Sequence, residues 1–103
     1  MSKRFLCSID AVTSGQALRV DLPDGASLAV YNLGNTYYAS DNLCTHGDAS
    51  LAEGEIDGDS IVCPFHGGSF DIKTGAPVAP PCIVPLRTYP VSTEGDNLYA
   101  EFE

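Results

Sequence analysis

The chain has 103 residues, enough for one ordinary hydrophobic core and too few for a second domain with its own cofactor. Five basic against fourteen acidic side chains leave a formal net charge of −9, which repels phosphate backbones and anionic headgroups and argues against nucleic acid or a membrane surface as partner. No apolar run approaches the roughly 18 residues of a membrane-spanning helix, and Ser8, Asp10 and Thr13 break the apolar stretch a signal peptide would need behind Lys3 and Arg4, so a cytoplasmic protein is expected.

Period-2 alternation recurs along the chain and no stretch keeps helical spacing for three turns, so the predicted class is all-β. Strands are predicted at residues 5–9, 17–22, 27–33 and 36–39. Pro23-Asp24-Gly25 and Gly34-Asn35 read as hairpin turns between them, since proline presets φ and glycine accepts a positive one. Further strands are predicted at 60–63, 69–72, 86–92 and 97–102, the last two joined by the turn Glu94-Gly95-Asp96-Asn97. Between Asp41 and Pro85 the character changes, with both histidines, three of the four cysteines and most of the prolines crowded together. The expected organisation is a single domain over 1–103, in which residues 41–85 carry the chemistry and the outer segments 1–40 and 86–103 form an antiparallel scaffold.

Cys44-Thr45-His46 is followed after sixteen residues by Cys63-Pro64-Phe65-His66, so two loops each offer one thiolate and one imidazole. Zinc fingers put two cysteines on one element and two histidines on the other. Mixed pairs suit a [2Fe–2S] cluster with one iron on two cysteines and the other on two histidines. A zinc-binding interaction domain is the non-redox alternative. Cys7 and Cys82 have no ligand spacing and are expected to be buried free thiols; a reducing compartment argues against a disulfide between them.

Cys44-Thr45-His46-Gly47 and Cys63-Pro64-Phe65-His66-Gly67-Gly68-Ser69-Phe70-Asp71 resemble the two cluster-binding boxes of the Rieske family. The resemblance implies one [2Fe–2S] cluster held by Cys44, His46, Cys63 and His66. It implies an antiparallel β-sandwich with a loop-rich cluster-binding subdomain over about residues 41–85. Pro77, Pro80, Pro81 and Pro85 would belong to the proline-rich loop covering another side of the cluster. Gly47, Gly67 and Gly68 would leave the imidazole edges uncovered as an electron port.

Rieske proteins of cytochrome bc-type complexes carry an extra cysteine in each box, forming a disulfide clamp, and this chain has Ala49 and Phe65 there. It also has Gly68 and Phe70 in place of a serine and a tyrosine that donate hydrogen bonds toward cluster sulfur. Fewer donors and a surplus of carboxylates place the expected potential near the bottom of the Rieske span of about −150 to +300 mV. Restoring both hydroxyls, Gly68→Ser with Phe70→Tyr, is expected to raise it.

Only two histidines are present, so no separate mononuclear iron on two histidines and a carboxylate can be built once the cluster has taken them, and no G-x-G-x-x-G fingerprint appears. The chain is similar over its full length to the small Rieske ferredoxins of bacterial aromatic-ring-hydroxylating dioxygenase systems. That resemblance implies a soluble, monomeric one-electron carrier rather than an enzyme. Its partners would be an NADH-dependent flavoprotein ferredoxin reductase and a terminal oxygenase, both met at the cluster tip. Glu53, Glu55, Asp57 and Asp59 between the boxes are candidates for the docking surface. The competing readings are a Rieske-like small subunit of a nitrite reductase-type enzyme and a redox- or iron-sensing module.

Overall fold

The computed structural model describes residues 2–45, 49–64, 67–80 and 82–102. Eleven strands form three antiparallel sheets, and among the described residues no α-helix is present. Strands β1 (Ser2–Ser8), β2 (Ala17–Asp21), β3 (Ser27–Leu33) and β4 (Thr36–Asp41) come first; β5 (Glu55–Asp57), β6 (Ser60–Val62), β7 (Ser69–Asp71) and β8 (Pro77–Ala79) are short; β9 (Thr88–Tyr89), β10 (Val91–Glu94) and β11 (Asn97–Phe102) close the chain. The sheets run β1-β11-β10, β2-β3-β4-β9 and β5-β6-β7-β8.

The three predicted turns form as hairpins. Between β2 and β3, Gly25 takes φ +96° and the Asp24 carboxylate accepts the Ala26 N–H at 3.1 Å. Between β3 and β4, Gly34 and Asn35 both have positive φ, the mirror-image turn whose twist suits two antiparallel strands. The Asn32 side chain accepts the Asn35 N–H at 2.7 Å and holds that turn. Glu94 pairs with Asn97 across the third.

Strand β3 carries the architecture, because its side chains alternate between two cores. Leu28 and Val30 pack with Leu6, Leu22, Leu98 and Ala100 against the first sheet. Ala29 and Tyr31 point the other way, into a cluster with Leu51, Ile61, Phe70 and Ile72. A strand buried on both faces reads as a nearly continuous apolar run, as Leu28-Ala29-Val30-Tyr31 does. The Tyr31 hydroxyl donates to Ser40 Oγ at 2.8 Å, which in turn donates to the Asp41 carbonyl at 3.0 Å, so the one polar atom of this large side chain is satisfied inside.

Two features differ from the expected strand pattern. The single strand predicted over 86–92 is split at Pro90: β9 pairs with β4 in one sheet and β10 with β11 in another. Proline has no N–H for the ladder, so the chain changes sheets there, and the Pro90 carbonyl still accepts from Glu101 at 2.9 Å. Strands β5 and β8 were not expected; one is acidic and three residues long, the other opens on Pro77, and both sit at the edges of their sheet. No helix of the described residues is long and apolar enough to cross a membrane.

Candidate metal centre

Cys44 and Cys63 stand at the necks of two loops closed in the same way. Leu43 pairs with Ser50, and the Cys44 N–H donates to the Ala49 carbonyl at 3.0 Å. Val62 pairs with Ser69, and the Cys63 N–H donates to the Gly68 carbonyl at 2.6 Å. In both, a cysteine leaves a strand-like pair and its main chain is bonded five residues ahead. The buried Asn42 braces the first loop, its amide oxygen accepting from Ala52 N at 3.0 Å and its amide nitrogen donating to Ser50 Oγ at 2.9 Å.

Both sulfurs point into the core formed by Ile61, Phe70 and Leu86, and both cysteines are buried. A third thiol joins them: the sulfurs of Cys44, Cys63 and Cys82 all lie within 4.8 Å of one another, and Cys82 Sγ is 3.8 Å from Cys44 Sγ. The first two can share one tetrahedral metal, whose bonds to thiolate run about 2.3 Å. Burial, reinforced by the neighbouring Cys44 and Cys63 sulfurs, pushes the Cys82 thiol up to about 12.

Cys82 arrives on the proline-rich segment after β8, its N–H donating to the Ala79 carbonyl at 3.3 Å. Thr45 Oγ1 donates to the Val84 carbonyl at 2.8 Å and ties this segment across the first loop. The segment therefore lies against the site, as expected for a covering loop. Gly68 makes room for it, because a Cβ there would stand 2.5 Å from Cys82 Sγ.

Of the expected ligands, the structure brings Cys44 and Cys63 together. His46 and His66 lie outside the described residues, as do Gly47, Phe65 and Pro81. Cys82 was expected to be a buried free thiol, and it is one, but spacing gave no sign that it would meet the other two; its only signal was its place in the proline-rich segment. Cys7 is half-buried on β1 beside the opposite core, and both it and Cys82 are free thiols. The acidic candidates divide: Asp57 and Asp59 flank the turn at the end of the β5–β6 hairpin away from Cys63, where Asp59 meets Lys73 at 3.6 Å. Three exposed apolar residues stand next to or near the cysteines in sequence: Leu43 at 59%, Ile83 at 76% and Val84 at 54%.

An antiparallel scaffold presenting two closed loops, each with one buried thiol at its neck, is that of a small iron–sulfur protein. The chain belongs to the Rieske family: the model of the Rieske [2Fe–2S] domain matches residues 2–90. Its cofactor is a [2Fe–2S] cluster, which the two converging thiols fit. It is 45% identical over 97 residues, 93% of this chain and 82% of the relative, to the ferredoxin component of the p-cumate 2,3-dioxygenase system of Pseudomonas putida. Among solved structures it resembles the Sphingomonas yanoikuyae B1 ferredoxin, with TM-score 0.93, 45% identity and coverage of 99% of this chain and 100% of that one. It also resembles a chain from the complex of reduced oxygenase and oxidised ferredoxin of carbazole 1,9a-dioxygenase, with TM-score 0.89, 43% identity and coverage of 95% and 91%.

Proposed function

We propose that this chain is the one-electron carrier of an aromatic-ring dioxygenase system, receiving electrons from an NADH-dependent flavoprotein reductase and delivering them to a terminal Rieske non-haem iron oxygenase. It is an electron-transfer component and not itself the catalyst. The observation that carries the reading is the pair of buried thiols, Cys44 and Cys63, with exposed apolar Leu43 next to Cys44 and exposed Ile83 and Val84 on the segment tied across its loop. Near-full-length likeness to ferredoxin components of the p-cumate and carbazole systems supports it.

Cys44, His46, Cys63 and His66 are the proposed ligands, and residues 41–85 the cluster-binding part of a single domain. A bound [2Fe–2S] cluster supplies a one-electron couple. The two loop necks fix where the sulfurs stand, the surrounding core keeps water from them, and the exposed apolar residues give a partner a surface that is desolvated at little cost. With two histidines assigned to the cluster, the chain has none left for a second iron site. A cytoplasmic protein fits the free thiols of Cys7 and Cys82, since a reducing compartment keeps thiols from pairing, and a monomer is proposed with it.

Electron paramagnetic resonance of the dithionite-reduced protein tests the ligands. The low average g of a mixed His/Cys cluster is expected, and Cys44→Ala, Cys63→Ala, His46→Ala or His66→Ala should each abolish it; an unchanged spectrum in any of these overturns that assignment. The carrier role is tested by NADH-driven substrate turnover with a reductase and oxygenase of such a system. Turnover that does not depend on adding this protein refutes it.

A further inference from the structure

We propose that Cys82 is a positioning residue for electron transfer, its Sγ–H donating a hydrogen bond to the Cys44 thiolate and thereby raising the reduction potential of the centre. The inference rests on the assignment of Cys44 and Cys63 as the sulfur ligands. Cys82 Sγ lies 3.8 Å from Cys44 Sγ, within reach of a sulfur–sulfur hydrogen bond, and the residue is only 2% exposed. Its place is secured twice, by its own N–H on the Ala79 carbonyl and by the Thr45 bond to Val84 two residues on.

Among the described residues, the main-chain donors of the two cysteines themselves are engaged elsewhere. The N–H groups of Cys44 and Cys63 close their own loops on Ala49 and Gly68, and Phe70, buried in the same core, has no hydroxyl. Space has been kept for the thiol, since any side chain at position 68 would run into Cys82 Sγ. A proton aimed at a thiolate ligand draws electron density from it and favours the more negative, reduced centre.

The test is a poised redox titration of the holoprotein followed by electron paramagnetic resonance, comparing the native protein with Cys82→Ala and Cys82→Ser. Cys82→Ala should lower the midpoint, so that the reduced-to-oxidised ratio at a fixed poise falls by up to about tenfold, or about 59 mV for one electron. Cys82→Ser, with a hydroxyl donor of similar size, should return the midpoint to the native value or above it. Average g should stay unchanged in both. After exchange into deuterated buffer, the pulsed spectrum should show a deuteron coupling that Cys82→Ala loses and Cys82→Ser keeps.

An unchanged midpoint in Cys82→Ala overturns the proposal. If that variant does not retain its cluster, Cys82→Ser decides: a midpoint below the native one, without the deuteron coupling, overturns it. Loss of the cluster from both variants, together with its retention in Cys44→Ala, would mean that Cys82 is itself a ligand, and the ligand assignment would fall first.

Discussion

A side chain at position 68 has nowhere to go, because its Cβ would meet Cys82 Sγ at 2.5 Å and Cys82 N at 3.0 Å. The sequence suggests that a serine here would supply a missing hydrogen-bond donor; the structure shows the space already taken by a thiol from another segment. Gly68→Ser alone should therefore cost about 1–3 kcal/mol through overpacking and lower the urea midpoint for loss of cluster absorbance. Gly68→Ser with Cys82→Ala should recover most of that midpoint, and no recovery would show that the crowding is with the backbone instead. Tyr89 supports a second prediction. Burial, with its hydroxyl donating to the Asp41 carboxylate, pushes it up to about 12. Its contribution to stability is thus whole below its ordinary value of 10.0 and is lost as pH rises through about 12. The buried Tyr31 is pushed up as well and acts in the same direction. Urea midpoints should fall between about pH 10 and 12, and Tyr89→Phe should make that fall shallower; an equally steep fall in the variant would assign it elsewhere.

Strand β3 divides the effects of core substitutions by face. Leu28→Ala, on the face toward β1 and β11, removes a fully buried side chain and should cost about 2–5 kcal/mol while leaving the resonance spectrum and midpoint potential unchanged. Ile61→Ala, in the core shared with Cys44, Cys63 and Cys82, should cost a similar amount and also broaden the spectrum or shift the potential. Equal spectra for both would mean that the sulfurs are insulated from their core. The hairpins around β3 could be read in advance because turn chemistry is local, as at Gly34-Asn35 and Pro23-Asp24-Gly25. The division at Pro90 could not, since Thr88-Tyr89-Pro90-Val91-Ser92 keeps one alternation across the proline and only the choice of partner strand separates β9 from β10. Strands β5 and β8 are three residues each, too short to show a period, and pairing with β6 and β7 makes them strands.

Over the whole molecule, a net charge of −9 coexists with exposed apolar residues near the cysteines, Leu43, Ile83 and Val84. Long-range attraction to a basic partner is screened within about 10 Å at 0.1 M salt, whereas contact across Leu43, Ile83 and Val84 is not. Ile83→Ser should therefore lower the rate of electron delivery to the proposed oxygenase partner about tenfold, about 1.4 kcal/mol, at every salt concentration, with spectrum and potential preserved. A native rate would move the docking face away from these residues. Paired thiolate and imidazole motifs made both cysteine loops legible from residue types alone. The meeting of Cys82 with them was not legible, because it depends on how the segment after β8 folds back over residue 45, and no spacing encodes a contact 38 residues apart.

The matching loop necks bear on how the cofactor is loaded. Each thiol is positioned by a main-chain bond to its own loop, so the entropy of ordering the two sulfurs is met during folding rather than at the moment of capture. The chain is in this respect a preorganised chelator, unlike small metal domains whose ligands are gathered by the metal itself. Its affinity for an incoming cluster then depends on the rigidity of these two necks and of the Asn42 and Thr45 bonds that brace the first of them.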